Sequence, residues 1–249
     1  MEDKKTAHFG NKVIPVEEKR HRVADIFSSV AAKYDLMNDL MSFGIHRLWK
    51  RFFVGKARLK HGDMAIDVAG GTADIAILMA REVGENGRVV VYDINKEMLE
   101  VGKTKCIDKG FLKNIQYVQG NAEEICFPDN TFNAAAVGFG IRNVTYIEKA
   151  FKEMARVVKP GGRVMCLEFS HPTSKLFNKA YNVYSFKIMP EIGDIITGNR
   201  EAYTYLPESI RKFPAQEELK EMLEGIGLYN VKYYNLFNGI AAVHIGIKI

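Results

Sequence analysis

Two aspartates bracketing a glycine pair are the residues of this chain whose types and spacing best suit ligand chemistry. Asp67 opens the stretch "DVAGGTAD", and Asp93 ends the apolar run "RVVVYD". Gly70 and Gly71 can take backbone angles closed to other residues and present no side chain to an approaching ligand. Thr72 is placed to cap a helix that follows. A carboxylate at position 93, on the same sheet edge as the glycine turn, can accept both ribose hydroxyls of a nucleoside. The spelling "AGGTAD" is not the GxGxxG that places a pyrophosphate on a helix amino terminus. Asp67 suits a different ligand, a nucleoside carrying a cationic amino-acid group. Taken alone, the turn serves equally as a tight strand-to-helix connection with no ligand. Asp93, and "GNAEE" at the next strand end, tip the reading to a nucleoside site. There Asn121 can bond an adenine amino group and the Ala122 amide a ring nitrogen, while Gly138 ends the fourth strand beside the same crevice.

These positions need a frame. Short apolar runs alternate with helical stretches: "MAIDVAG" then "TADIAILMAREVG", "RVVVYDI" then "KEMLEVGKTKCIDKG", "IQYVQGNA", "FNAAAVGFGI", "YIEKAFKEMARVV" and "GGRVMCLEFS". Continuous apolar strands between helices predict a parallel sheet covered on both faces, with ligands beyond the carboxyl ends of its strands. The last strands, "NVKYYNLF" and "IAAVHIGIKI", are spaced as a hairpin around Asn238-Gly239. The expected fold is α/β, a doubly wound, seven-stranded, mostly parallel Rossmann-like sheet with N-terminal helices and a helical cap insertion. Residues 1–20 are polar and read as a flexible arm. The single domain then spans 21–249, with helices over the site at 21–56, the cap at 171–214 and the hairpin at 228–249. The amphipathic helix from Val23 to Leu40 is expected to break near Tyr34-Asp35.

The 249 residues are 47% hydrophobic and 26% charged, which sets general disorder aside. A net charge of +5, spread along the chain, suits small anions or an anionic membrane surface and gives no argument for nucleic acid. The three cysteines are scattered and no metal-ligand spacing occurs, so a reducing compartment and no metal are expected. No leader-like segment opens the sequence and no run approaches the ~18 apolar residues of a spanning helix, which points to a cytoplasmic protein, peripheral to the inner membrane at most.

The stretches "YDLMNDLMSFGIHRLW", "DVAGGTAD", "FGIRNV" and "RVVKPGGR" closely resemble the ubiquinone/menaquinone biosynthesis C-methyltransferases, class I enzymes dependent on S-adenosylmethionine. The likeness runs from about His8 to Ile249, and the "HFG" leader and "GIHRLWK" are nearer the ubiquinone-branch or dual-function members. It implies methylation of a ring carbon of a demethylated polyprenyl quinol, with S-adenosylmethionine as cofactor and a polyprenyl quinol as substrate. Thr72, Asp93, Asn121 and Ala122 match the family's cofactor contacts, as does Gly138, where some relatives carry serine. Two positions depart from the pattern. Ala73 replaces the usual glycine and is expected in the first helical turn, its methyl near the methionine part of the cofactor. Asn133 replaces the usual aspartate, with only a local effect.

The reaction requires a phenol of pKa ~10 to ionise, so its phenolate must be stabilised or its proton removed. Arg142, always protonated, is assigned phenolate stabilisation or water positioning, against a surface salt bridge as the alternative; Asn143 can bond a quinol oxygen. His46 has the intrinsic pKa of a base but equally suits a helix surface, and Tyr34, in the same covering helices, reads as packing or catalytic. Asp35 reads as a helix cap; Met37, Met41 and Trp49 read as core. A substrate nearly insoluble in water calls for peripheral membrane contact through the aromatic residues at 177–205. A quinone-biosynthesis complex and a homodimer complete the expected partners. The competing readings are a non-catalytic cofactor-binding scaffold in such a complex, a methyltransferase on another phenolic or lipid acceptor and, more remotely, an NAD-dependent oxidoreductase.

Overall fold

Alternation within the central strands decides which helix covers which face. In β3 (Met64–Val68) and β4 (Arg88–Asp93), Ala65, Val89 and Val91 join one buried cluster while Ile66, Val68, Val90 and Tyr92 join another. The period of two sends neighbouring side chains to opposite faces, so both faces must be covered. On the first face lie α3 (Ile45–Ala57), α4 (Asp74–Val83) and α5 (Lys96–Asp108), contributing Phe53, Ile77, Leu99 and Cys106. On the second lie α6 (Ile147–Val157) and α10 (Gln216–Gly225), contributing Phe151, Met154, Leu219 and Leu223. The computed structural model describes residues 6–249.

The remaining strands are β5 (Ile115–Gln119), β6 (Phe132–Gly138), β7 (Val158–Phe169), β8 (Leu228–Leu236) and β9 (Ala241–Lys248). Their order is β5-β4-β3-β6-β7-β9-β8, parallel through β7, with β9 antiparallel to both of its neighbours. This is the expected doubly wound, seven-stranded sheet with a carboxy-terminal hairpin. Strand order reverses between β3 and β6, and the crevice beyond their carboxyl ends is the place for a ligand.

The amino-terminal stretch departs from the expected arm. Thr6–Phe9 (β1) and Lys12–Pro15 (β2) form an antiparallel hairpin, and α1 (Val16–Val30) begins well before residue 21. Polar composition concealed this because the hairpin is anchored by a single buried ring: Phe9 stacks on Tyr205 with centroids 4.6 Å apart. A 3-10 turn at Ala31–Lys33 separates α1 from α2 (Tyr34–Ser42). The cap consists of α7 (Lys175–Val183), a π-helical stretch Tyr184–Ile188, α8 (Met189–Thr197) and α9 (Arg200–Lys212). Ile26, Val30, Met37, Tyr203 and Tyr205 share a third core, so the amino-terminal helices and the cap are one cover. The Tyr184 hydroxyl donates to the Met41 carbonyl at 2.8 Å, fastening the irregular stretch to α2.

One close approach sets the glycine turn against α5. A Cβ on Gly102 would lie 2.7 Å from the Gly71 carbonyl oxygen and 3.2 Å from the Thr72 carbonyl carbon. Backbone cannot yield as a side-chain tip can. Gly102→Ala should therefore lower unfolding stability by ~1–3 kcal/mol in urea titration, despite alanine's better helix propensity.

Candidate functional site

After β3 the chain turns through three left-handed residues, Ala69 (φ 51), Gly71 (φ 49) and Ala73 (φ 65). A Cβ on Gly70 would meet the Asp67 carbonyl oxygen at 2.8 Å and Asp67 Oδ2 at 2.9 Å, so only glycine fits. The Gly71 N–H donates to Asp93 Oδ2 at 2.8 Å, and the Asn95 N–H donates to Asp93 Oδ1, also at 2.8 Å. Two backbone donors thus orient the carboxylate that ends β4. Burial pushes Asp93 above the usual carboxylate range, and the backbone donors oppose that shift.

Ala73 is not in the first helical turn. It precedes α4 in the left-handed region, at a strain of ~1–2 kcal/mol for an alanine. Its methyl is fully buried and faces α5, 3.3 Å from where a Gly102 Cβ would sit, and it does not line the cavity. The cost of the departure from glycine therefore lies in backbone angle, not in crowding the ligand. Ala69 and Phe139 (φ 59), at the ends of β3 and β6, are strained in the same way. Of nine such non-glycine residues among those described, these three border one crevice, and strain of this kind is often found at functional sites.

Thr72 does not cap α4. Its hydroxyl donates to Asp35 Oδ1 of α2 at 2.7 Å, and Asp35 in turn pairs with Lys105 of α5. Asp35 is therefore a tie between cover and turn, not a helix cap. Lys105 also reaches Asp74 Oδ1 at 2.8 Å, and Lys50 reaches Asp74 Oδ2 at 2.7 Å. The two lysines hold Asp74 well below the usual range against the pull of burial.

Asp67 is the unusual group. It is 1% exposed; Oδ2 accepts the Ala76 N–H at 3.0 Å, and Oδ1 has no partner among the described residues. Burial pushes its pKa up to about 8. An unpaired buried carboxyl oxygen is costly, and a cationic ligand removes that cost.

Asp67, Gly70, Gly71, Thr72, Asp93, Asn121, Ala122, Gly138, Tyr34 and Asn143 all line one cavity of about 170 Å3 at the strand ends. Asn121 Oδ1 accepts the Glu123 N–H at 3.0 Å, and buried Glu123 takes the Arg20 guanidinium at 3.1 Å, clamping α1 over this end. A Cβ on Gly138 would lie 2.1 Å from Ile75 Cδ1, so the serine of some relatives fits only if Ile75 turns aside.

Beside it lies an apolar cavity of about 400 Å3, lined by His46, Arg142, Met37, Met41, Trp49, Phe177, Tyr181 and Tyr184 among others. Phe27, Tyr34, Lys50 and Phe139 line both spaces. Arg142 makes no surface salt bridge. It is buried and pairs with buried Glu168 at 2.7 Å, donates to the Phe139 carbonyl at 2.6 Å and lies over the Phe169 ring. Tyr205 donates to Asn143 Oδ1 at 3.0 Å, and burial pushes the Tyr34 hydroxyl up, keeping it a donor. His46 is 5% exposed, on the inner side of α3; desolvation and the Lys50 charge lower it to about 4, so it is neutral, and less basic than its intrinsic pKa suggests. Sequence reading missed Glu168 and Lys50. Each carried a signal: an acid inside the apolar run "VMCLEF", and a lysine in the helical stripe His46, Lys50, Phe53, Ala57.

The chain matches the ubiE/COQ5 methyltransferase family over residues 15–248. A ubiquinone/menaquinone biosynthesis C-methyltransferase UbiE from Hahella chejuensis is 52% identical over 248 residues, covering 100% of both chains. Its namesake from Stutzerimonas stutzeri is 53% identical, covering 98% of this chain and 95% of its own. Among solved structures, an Aquifex aeolicus SAM-dependent methyltransferase superposes with TM-score 0.60 at 19% identity, covering 80% of this chain and 89% of its own. The [4+2]-cyclase SpnF superposes with TM-score 0.67 at 14% identity, covering 91% and 95%. A cyclase on this fold means that the sheet alone does not fix the reaction.

A raised Asp67 has a definite sign. The unfolded chain ionises it near ~3.9, the folded chain near about 8. It therefore subtracts from stability as pH rises across that window. A cationic ligand favours the ionised form, so affinity for S-adenosylmethionine should rise between about pH 6 and pH 7.5, by at most ~tenfold per unit. Calorimetric titration checks this, and Asp67→Asn should flatten the profile and weaken binding by ~tenfold or more.

Proposed function

The chain belongs to the ubiE/COQ5 methyltransferase family, and from that premise we propose that it transfers a methyl group from S-adenosylmethionine to a ring carbon of a demethylated polyprenyl quinol in ubiquinone or menaquinone biosynthesis. The observation that carries this reading is the pairing of two cavities: a polar one holding an unpaired buried carboxylate oxygen, and a larger apolar one sharing Phe27, Tyr34, Lys50 and Phe139 with it. A cationic nucleoside fits the first and a prenylated ring the second.

Asp93 would hold the ribose, Asn121 and Ala122 the adenine, and Asp67 the cationic end of the cofactor. When bound, S-adenosylmethionine supplies a methyl already activated by its sulfonium charge. The chain must then supply an electron-rich ring carbon. A quinol hydroxyl of pKa ~10 facing an imidazole of about 4 leaves a gap of ~6 units, ~8 kcal/mol. His46 alone cannot close that gap. Arg142 in the apolar cavity, Asn143 in the polar one and Tyr34 in both are hydrogen-bond donors, and we assign them the larger task of lowering the quinol pKa, with His46 receiving the proton. Glu168 keeps Arg142 in place: its carboxylate bonds both the guanidinium and the Arg142 backbone N–H, at 2.7 and 3.4 Å.

Transfer of labelled methyl from S-adenosylmethionine to a short-chain demethyl quinol tests the function; failure of the wild-type protein to transfer while still binding the cofactor favours the scaffold reading instead. In that assay Arg142→Lys, which keeps charge but loses the planar fork, should lower kcat by ~10²-fold. His46→Gln, which removes the proton acceptor, should lower it by ~10²-fold as well.

The substrate's insolubility adds a membrane expectation. Among the described residues no helix is long and apolar enough to cross a bilayer. Phe43 (82% exposed) and Phe237 (55% exposed) line the apolar cavity and also face solvent, and Leu40, Leu48, Val183 and Phe186 are exposed on α2, α3 and the cap, the elements that enclose it. We propose that this rim rests on the bilayer and receives the quinol from it. The protein should float with vesicles containing anionic lipid, and Phe43→Ser with Phe237→Ser should reduce the floating fraction at least ~fivefold.

A further inference from the structure

Among the charged residues that line the polar cavity, one is a buried cation, Lys50. Lys50 is 7% exposed on α3, and it is the charged member of the four residues that line both cavities. Its Nζ is held to Asp74 Oδ2 at 2.7 Å. Asp74 lines the polar cavity and not the apolar one, so the ammonium end is drawn toward the cofactor side of the junction. Asp74 has a second cation besides Lys50: Lys105, which it shares with Asp35, bonds its other oxygen at 2.8 Å. An ammonium has three donors, and the bond to Asp74 uses one. A buried lysine with donors to spare, in the same cavity as a carboxylate with an unpaired oxygen, makes a site for a zwitterion. One end offers positive charge and the other negative.

We propose that Lys50 binds the α-carboxylate of the cofactor's amino-acid end, opposite Asp67, which takes its ammonium. The assignment rests on S-adenosylmethionine being the cofactor. It makes α3 part of the cofactor site, although every cofactor-binding residue expected from the sequence lies on the sheet ends. It also ties binding to the cover: Lys50 reaches the site only when α3 is packed against α4, where Asp74 waits.

The test compares ligands with and without the carboxylate. Lys50→Met and Lys50→Gln are titrated calorimetrically with S-adenosylmethionine, S-adenosylhomocysteine and 5′-methylthioadenosine, which lacks the amino-acid end. Lys50→Gln retains a polar tip for Asp74 and serves if the methionine variant does not fold. Affinity for the first two ligands should fall at least ~tenfold, ~1.4 kcal/mol, with methylthioadenosine unchanged within ~twofold. Equal loss for all three ligands overturns the assignment, since Lys50 would then only support the cavity. Wild-type-like affinity for S-adenosylmethionine in the variants overturns it as well. A wild-type protein that binds no S-adenosylmethionine overturns the cofactor reading and this assignment together.

Discussion

The site depends on a backbone turn being held open at the end of β3. Gly71 donates its N–H to Asp93, and α5 presses its bare Gly102 against the Gly71 carbonyl. Those two contacts, one to the Asp93 carboxylate and one to bare backbone of α5, fix the turn between two strands and a helix. Everything that would bind a nucleoside is referenced to it: Asp93 because it receives the turn's amide, Asp67 because Gly70 leaves room for its carboxylate, and Thr72 because the turn aims its hydroxyl at the cover. Left-handed angles at Ala69 and Ala73 are the strain this geometry requires; Ala73 is fully buried, while Ala69 is half-buried at the wall of the cavity.

Electrostatics in the crevice follows from burial more than from net charge. Two acids, Asp67 and Asp93, are kept in low-dielectric surroundings with hydrogen bonds from backbone amides and, among the described residues, no lysine or arginine bonded to either. A third, Asp74, carries two lysines. The difference sorts their roles. Asp74 is a structural anion that organises Lys50 and Lys105. Asp67 stays short of a partner and is thereby suited to a cationic ligand. Arg142 belongs to the same logic on the other side of the junction. Its charge is balanced by Glu168, so what it offers a ring oxygen is directed hydrogen bonding in a dry cavity.

The two cavities are joined by the cover, and the cover is made of parts remote in sequence. Phe9, Ile26, Met37 and Tyr205 meet in one apolar core, and Asp35 carries that core's position to the glycine turn through Thr72. Movement of α2 would break the Thr72 and Lys105 contacts together. The proposed methyl donor and acceptor sites are therefore closed by the same element.

The sequence by itself determined the sheet, its helices, the glycine turn and Asp93. These rest on local rules: alternation along strands, helical periodicity, and a glycine pair between them. It also carried the family likeness in "YDLMNDLMS" and "DVAGGTAD". What local rules could not supply was the partner of each charge. Glu168 beneath Arg142, Asp35 on Thr72 and Lys50 beside Asp74 join residues tens of positions apart, and pairing at that range exists only after helices pack on the sheet. The low pKa of His46 is of the same kind, since desolvation is a property of surroundings and not of residue type. So was the conformation of Ala73. Helix-forming neighbours favoured a helical angle, but the close approach of α5 and the bond from Gly71 to Asp93 held the preceding turn and delayed the helix to Asp74.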